Sequence, residues 1–250
     1  MATKFTLVIP AYNEASIIRE TIKTICDAFA ALCPCPWHVI VADNASTDHT
    51  ADLVDAMNDS RVSTVRLKEK GRGRAIREAF RSAGGGVVAF TDADLPISPE
   101  EIVQGLRMIL GSECEVVVGT RFAVKSAAQE RSFLRNGSSM IFLMLARMIT
   151  GLRASDSQCP LKMMNERTTP IMLETEDPTW WSELEFLLLV ERLGIAVKEL
   201  PITWHDRYPE RKSTVKMVSD SLRAIQEMVK MRFHLAKKLE ALRVQLHQPT

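Results

Sequence analysis

The chain has 250 residues, 46% of them hydrophobic and 25% charged, a composition able to bury one large core and unlike that of a disordered or coiled-coil protein. Its 32 Lys and Arg nearly cancel 31 Asp and Glu, so no cationic excess exists to track a phosphate backbone, and no nucleic-acid partner is expected. Five irregularly spaced cysteines exclude a disulfide framework, and Cys33-Pro34-Cys35 lacks the second Cys/His pair that a structural zinc site needs.

Met1 to Lys4 lead directly into the apolar run Phe5 to Pro10, which is too short for a signal peptide. Further on, the longest apolar stretch, Met140 to Ala146, is interrupted by Arg147, well below the roughly 20 residues of a spanning helix. The expectation is a cytoplasmic chain without a transmembrane anchor.

Short β-rich runs then alternate with helical patterns. Strands are predicted at Thr6 to Ile9, His38 to Ala42, Val62 to Arg66, Val87 to Thr91 and Glu115 to Gly119, with helices at Ala15 to Leu32, Thr50 to Asn58, Gly73 to Ala83 and Ser98 to Leu110. The last helix has a strong start signal: an N-cap Ser98, Pro99 at the first helical position, and Glu100 and Glu101 in the first turn. Beyond about residue 125 the alternation weakens. Arg131 to Arg153 is basic, apolar and Met-rich, with the composition of an amphipathic helix; a polar loop, Ala154 to Pro160, precedes a helix at Trp181 to Leu193 and a strand at Ala196 to Ile202. From Val215 to Leu246, apolar residues including Val218, Leu222, Val229, Leu239 and Leu242 recur at helical spacing, and Thr214 to Thr250 holds seven Lys or Arg against three Asp or Glu.

This alternation predicts an α/β fold, and ligands of such sheets sit beyond the carboxyl ends of the strands. Three acidic, turn-rich segments follow the first, second and fourth strands: Pro10 to Glu14, Asp43 to Asp48, and Asp92-Ala93-Asp94. Two carboxylates two residues apart repel unless a cation lies between them, and Mg²⁺ suits one or two carboxylates completed by diphosphate oxygens and water. A solvated turn before the Ser98 helix is the plain alternative. Asp43, an acceptor-only carboxylate at a strand end, suits a ribose or base, whereas Asn44, Ser46 and Thr47 suit a tight turn. Lys70-Gly71-Arg72-Gly73-Arg74 reads in two ways: a glycine-spaced loop that brings backbone and charge to a phosphate, or a simple basic turn.

Taken in order, these segments resemble family 2 of the glycosyltransferases, of GT-A fold, and especially polyprenyl- or dolichyl-phosphate sugar synthases. The resemblance runs from Val8 to Glu14 through Asp43 to Asp48, Lys70 to Ala75, Asp92 to Leu95 and Gly119-Thr120-Arg121, and continues through Asp156 to Lys162, Glu183 to Glu185, Glu199 to Ile202 and Arg207. It implies a three-layer α/β/α sandwich with a mixed central sheet over residues 1–213, with a basic amphipathic helix at 214–250 packed on it or extending from it. Pro10, Tyr12, Glu14 and Asp43 would hold the nucleoside, with Lys70 near it; Asp92 and Asp94, around Ala93, would manage Mg²⁺ or Mn²⁺ and the diphosphate. Arg121 and Arg131 would approach the diphosphate or an acceptor phosphate, Arg207 would close over them, Gln158 and Glu183 would face the sugar, and Lys212 would stand near the phosphate-binding lysine of the relatives. Asp94, Glu183 and Arg207 would be the catalytic set.

The implied reaction is an inverting transfer of a hexose from a GDP- or UDP-linked sugar to a lipid phosphate, or, on a second reading, to a saccharide or small metabolite. A catalytically silent binding subunit is a third reading, disfavoured by the presence of Asp43, Asp92 and Asp94. A phosphate acceptor needs no strong general base, whereas a hydroxyl acceptor calls for a carboxylate, with Glu183 or Glu185 the candidates. The Arg131 to Arg153 segment fits a peripheral position on the cytoplasmic face of a membrane or on a membrane-protein partner; homo-oligomers are compatible with the resemblance. Departures from the family pattern are Pro160 in place of Gly, Glu183 in place of Asp, Lys212-Ser213-Thr214 in place of Ser-Lys, and no membrane helices at the carboxyl end.

Overall fold

The computed structural model describes residues 3–122, 144–205, 207–208 and 217–246. In chain order the elements are β1 (Phe5–Ala11), α1 (Ile18–Leu32), β2 (Trp37–Asp43), α2 (Thr50–Asp55), β3 (Val62–Arg66), α3 (Arg72–Ala83), β4 (Val87–Phe90), α4 (Pro99–Leu110), β5 (Val116–Thr120), α5 (144–150), β6 (Lys162–Met164), α6 (Thr169–Leu173), α7 (Trp181–Arg192), β7 (Val197–Pro201) and α8 (Met217–Leu246).

The strands form one sheet in the order β3-β2-β1-β4-β6-β5-β7. β1 pairs in parallel with β2 and β4, β2 with β3, and β5 with β7; β6 runs antiparallel between β4 and β5. The sheet is therefore mixed, as the resemblance implied. Sequence reading placed no strand at 162–164, and this three-residue element is the one that makes it so. It is too short to show a period of two, and it enters the sheet directly after Pro160.

Alternating side chains separate two cores. Leu7 and Ile9 of β1 and Val39 and Val41 of β2 pack with Ile18, Ile22, Ile25 and Phe29 of α1 and Ile102, Val103 and Leu106 of α4. On the opposite face, Val8, Ile40 and Phe90 pack with Ile76, Ala79 and Phe80 of α3 and Leu184 and Phe186 to Val190 of α7. The result is a three-layer α/β/α sandwich. α4 starts where its signal placed it, with Ser98 Oγ accepting the Glu101 N–H at 3.2 Å and Glu101 Oε2 accepting the Ser98 N–H at 3.1 Å.

α8 lays Met228, Met231, Leu235 and Leu242 into the core that α7 helps to build, while Val229 is 41% exposed. Leu242 and the partly buried Leu239 belong to the predicted stripe, whereas Met228, Met231 and Leu235 were not among its residues. No helix among the described residues is long and apolar enough to cross a membrane.

Candidate active site

The register of β1 and β2 sets Pro10 beside Ala42 and Ala11 beside Asp43, so the two strands end level and their loops interlock. Asn13, in the left-handed region at φ 56°, accepts the Thr47 N–H on Oδ1 at 2.8 Å, while its own N–H donates to Ser46 Oγ at 3.0 Å. Glu14 N–H donates to Thr50 Oγ1 at 2.8 Å, and Ala15 N–H to Asp48 Oδ2 at 3.1 Å. Ser46, Thr47 and Asp48 are therefore spent on shaping the turn, as the local reading allowed. Asp43 is not: its carboxylate is buried, and Oδ1 has no hydrogen-bond partner among the described residues. A buried acceptor without a donor is costly to maintain unless a ligand supplies one. Beside it, Lys70 Nζ lies 4.0 Å from the Tyr12 ring centroid and donates to the Tyr12 hydroxyl. Tyr12, Glu14, Asp43 and Lys70, expected around a nucleoside, thus gather at one end of the sheet.

After β4 the chain turns through Asp92 to Leu95, closed by Leu95 N–H donating to the Asp92 carbonyl at 3.0 Å with Leu95 at φ 47°. Ala93 and Leu95 are buried in the core, whereas Asp92 and Asp94 are half-exposed at the end of β4. Ala93, expected among the substrate-binding residues, instead has its methyl in the core and its carbonyl accepting from Thr21 Oγ1 at 2.7 Å; it anchors the turn. No group of three His, Cys, Asp or Glu able to hold a metal occurs among the described residues. Two half-exposed carboxylates nevertheless fit Mg²⁺ or Mn²⁺, which take the rest of their ligands from diphosphate and water.

Asp92 is also tied to a chain of buried charges, Arg72, Glu183 and Lys162. Arg72 Nη2 donates to Asp92 Oδ1 at 2.6 Å, Arg72 Nη1 pairs with Glu183 Oε1, and Glu183 Oε2 accepts from Lys162 Nζ at 2.6 Å. The Arg72 guanidinium carbon is 4.8 Å from the Trp180 ring centroid and 5.5 Å from that of Phe90. Lys162 is fully buried, and its ammonium also donates to the carbonyls of Ser157, at 2.7 Å, and Cys159. Burial pulls the pKa of Lys162 down to about 7, against the upward pull of Cys159 and Asp156; the charged form is the one whose three donors all meet acceptors. Sequence reading gave neither Arg72 nor Lys162 a role. The signal for Lys162 was present: a lysine followed by Met163-Met164 in an apolar run must find buried partners. Arg72 is indistinguishable in sequence from its neighbours Lys70 and Arg74.

Other expectations are altered. The α3 start is not a phosphate cradle: Gly73 N–H donates to Pro178 O at 3.0 Å, and Gly71 N–H to Asn44 Oδ1 at 2.6 Å. Its glycines admit a protein loop, since a Cβ on Gly71 would stand 2.6 Å from Pro178 O and one on Gly73 2.6 Å from Asp177 O. Arg121, expected near phosphate, is buried in a bidentate pair, Nε and Nη2 donating to Asp156 at 2.5 and 2.7 Å, because the 155–160 loop brings a carboxylate to the end of β5. Gln158 is exposed, with its N–H donating to Asp156 Oδ1 at 3.2 Å. Arg207 is exposed and lines a cleft of about 640 Å³ with Thr24, Asp27, Ser98 and Glu100. Arg131 and Lys212 lie outside the described residues.

The family model described as glycosyl transferase family 2 matches residues 6–167, which hold the strand-end loops, the Asp92–Asp94 turn and Lys162. The chain belongs to glycosyl transferase family 2. Among its curated relatives, glycosyltransferase AglD of Haloferax volcanii is 28% identical, over 86% of this chain and 35% of AglD. The undecaprenyl-phosphate 4-deoxy-4-formamido-L-arabinose transferase of Yersinia enterocolitica is 30% identical, over 70% of this chain and 52% of its own length. The dolichyl-phosphate beta-glucosyltransferase of Saccharomyces cerevisiae is 26% identical, over 90% and 73%. The chain thus spans about a third and about half of the first two relatives. Glucosyl-3-phosphoglycerate synthase from Mycobacterium tuberculosis, solved with Mn²⁺, UDP and glucosyl-3-phosphoglycerate, shares the fold at TM-score 0.60 and 21% identity, over 91% of this chain and 77% of that one.

Proposed function

We propose that this family 2 enzyme transfers a hexose, with inversion, from a nucleotide diphosphate sugar to a polyprenyl- or dolichyl-phosphate-like acceptor. The observation that carries this reading is the state of the two candidate bases, Glu183 and Glu185. Glu183 has Arg72 on one oxygen and Lys162 on the other; Glu185 accepts the Glu176 N–H at 2.9 Å and Lys238 Nζ at 2.5 Å. A hydroxyl acceptor must lose its proton to a base, whereas a phosphate monoester arrives with about 1.5 to 2 negative charges. The names of the relatives point to lipid phosphates as well.

In this mechanism Asp43 accepts a hydrogen bond from the nucleoside, and Tyr12 with Lys70 closes its edge. Asp92 and Asp94 would hold Mg²⁺ or Mn²⁺, which when bound offsets the charge of the leaving diphosphate. An acceptor phosphate oxygen attacks the anomeric carbon as the bond from that carbon to the diphosphate oxygen breaks, and the nucleoside diphosphate leaves. Arg131 and Lys212 would supply cations for the phosphates, and Arg207 would join them only by moving from the cleft it lines with Ser98 and Glu100. Glu183 acts by fixing Arg72 and Lys162. Support for a membrane-facing acceptor comes from α5, where Ala146 and Thr150 are buried while Met144 and Met148, 55% and 72% exposed, flank the exposed Arg147.

The test is an assay with Mg²⁺ or Mn²⁺, a panel of UDP- and GDP-sugars, and liposomes containing undecaprenyl phosphate beside soluble acceptors. Sugar recovered in the lipid fraction is expected. Transfer confined to a soluble acceptor would replace the proposal with the second reading.

A further inference from the structure

The Arg72–Asp92 contact has a consequence for how a metal enters the site. Arg72 is 8% exposed, its two terminal nitrogens meet Asp92 and Glu183, and its guanidinium carbon lies 4.8 Å from the Trp180 ring centroid and 5.5 Å from that of Phe90. Swinging it away would leave Glu183 buried with one cation fewer and forfeit both ring contacts. The guanidinium is thus a fixed positive charge within hydrogen-bond distance of one carboxylate of the Asp92–Asp94 pair. It occupies an Asp92 oxygen and reduces the charge with which the pair attracts a free divalent ion. A nucleoside diphosphate restores that attraction, because it brings several negative charges and oxygen ligands of its own.

The support behind Arg72 is built to keep it there. The 174–180 loop, which carries Trp180, is held by Arg77 Nη1 donating to Thr175 Oγ1 at 3.1 Å and to the Asp177 carbonyl at 2.8 Å, by the Gly73 N–H on Pro178 O, and by Glu185 on the Glu176 N–H. A cation serving only surface charge balance would need no such frame.

Resting on the metal reading above, we propose that Arg72 is a positioning residue that keeps the Asp92–Asp94 pair a poor site for a free divalent ion, so that metal and nucleotide bind together.

The experiment is a Mn²⁺ titration of the full chain followed by electron paramagnetic resonance, with and without UDP or GDP, for the wild type, Arg72→Met and Arg72→Lys. Wild type is expected to bind Mn²⁺ at least roughly tenfold more tightly with the matching nucleotide, within the ordinary range of coupling between linked sites. Arg72→Met is expected to bind free Mn²⁺ roughly tenfold more tightly than wild type, and so to gain less from nucleotide. Arg72→Lys keeps the charge and stays near wild type with free Mn²⁺. Folded Arg72→Met with unchanged or weaker affinity for free Mn²⁺ overturns the proposal. If that variant does not fold, the wild type still decides: equal Mn²⁺ affinity with and without nucleotide refutes it. Wild type that takes up no Mn²⁺ under any condition overturns the metal reading and the Arg72 proposal with it, whereas Mn²⁺ uptake indifferent to Arg72 overturns the second alone.

Discussion

Replacing Asp156 with Asn tests the buried frame of the site. Asp156 is 1% exposed and accepts four hydrogen bonds, from Arg121 Nε, Nη2 and backbone N–H and from the Gln158 N–H. The amide leaves one oxygen for these donors and turns an NH₂ group toward a buried guanidinium. Breaking a buried pair from one side costs about 3–5 kcal/mol, which for a chain of this size lowers the melting temperature by roughly 6–20 °C. Acid provides an independent check. Burial raises the Asp156 pKa, but the hydrogen bonds and charge of Arg121 outweigh it and hold the carboxyl below its ordinary value. A depressed folded pKa means that the stabilisation is complete above the unfolded value of about 3.9 and is lost as pH falls through the folded one. Thermal melts of wild type and Asp156→Asn should differ by a constant amount from neutrality down to about pH 5, and the gap should begin to narrow below about pH 4. A variant melting within about 2 °C of wild type at neutral pH, or a gap that does not narrow in acid, would refute the reasoning.

Gly73→Ala places a Cβ 2.5 Å from Ser182 Oγ and 2.6 Å from Asp177 O, so urea unfolding should show a loss of about 1–3 kcal/mol; an unchanged midpoint would mean that the loop yields freely. Asp43→Asn replaces one of the two buried acceptor oxygens with an NH₂ donor and should weaken nucleotide binding in calorimetry by about 1.5–3 kcal/mol, while nucleotide-free Mn²⁺ binding stays as it was. Lys238→Met cuts the bonds from α8 to Glu185 Oε1, at 2.5 Å, and to the Glu174 carbonyl, at 3.2 Å; faster amide exchange across 174–180 is expected, and unchanged exchange would show that α8 does not brace the loop.

The parts of the fold legible in the sequence are those governed by local rules. The first strands are apolar runs bounded by turn residues, and α4 announces itself through Ser98-Pro99-Glu100-Glu101. β6 was not legible: three residues carry no period, and only pairing with β4 and β5 makes them a strand. The same division holds in the site. Asp43, Asp92 and Asp94 could be found because strand-end carboxylates are chemically conspicuous. Arg72, Lys162 and the Asp156 partner of Arg121 depend on contacts 20 to 35 positions apart in the chain, with Arg72 to Asp92, Lys162 to Glu183 and Arg121 to Asp156 closed by tertiary packing alone. Gly71 and Gly73 left two readings open in the sequence, and in the fold they serve the close approach of Pro178 and Asp177.

The proposed acceptor is a phosphate on a lipid, and the proposed transfer inverts the anomeric configuration. Both are tested most directly by isolating the lipid-soluble product of the enzyme with a nucleotide sugar and undecaprenyl phosphate, and determining its linkage and anomeric configuration by phosphorus and proton NMR. A glycosyl phosphodiester with the configuration opposite to that of the donor is expected. A product with the donor's configuration, or a sugar joined to a hydroxyl group with the lipid phosphate untouched, would contradict the proposal.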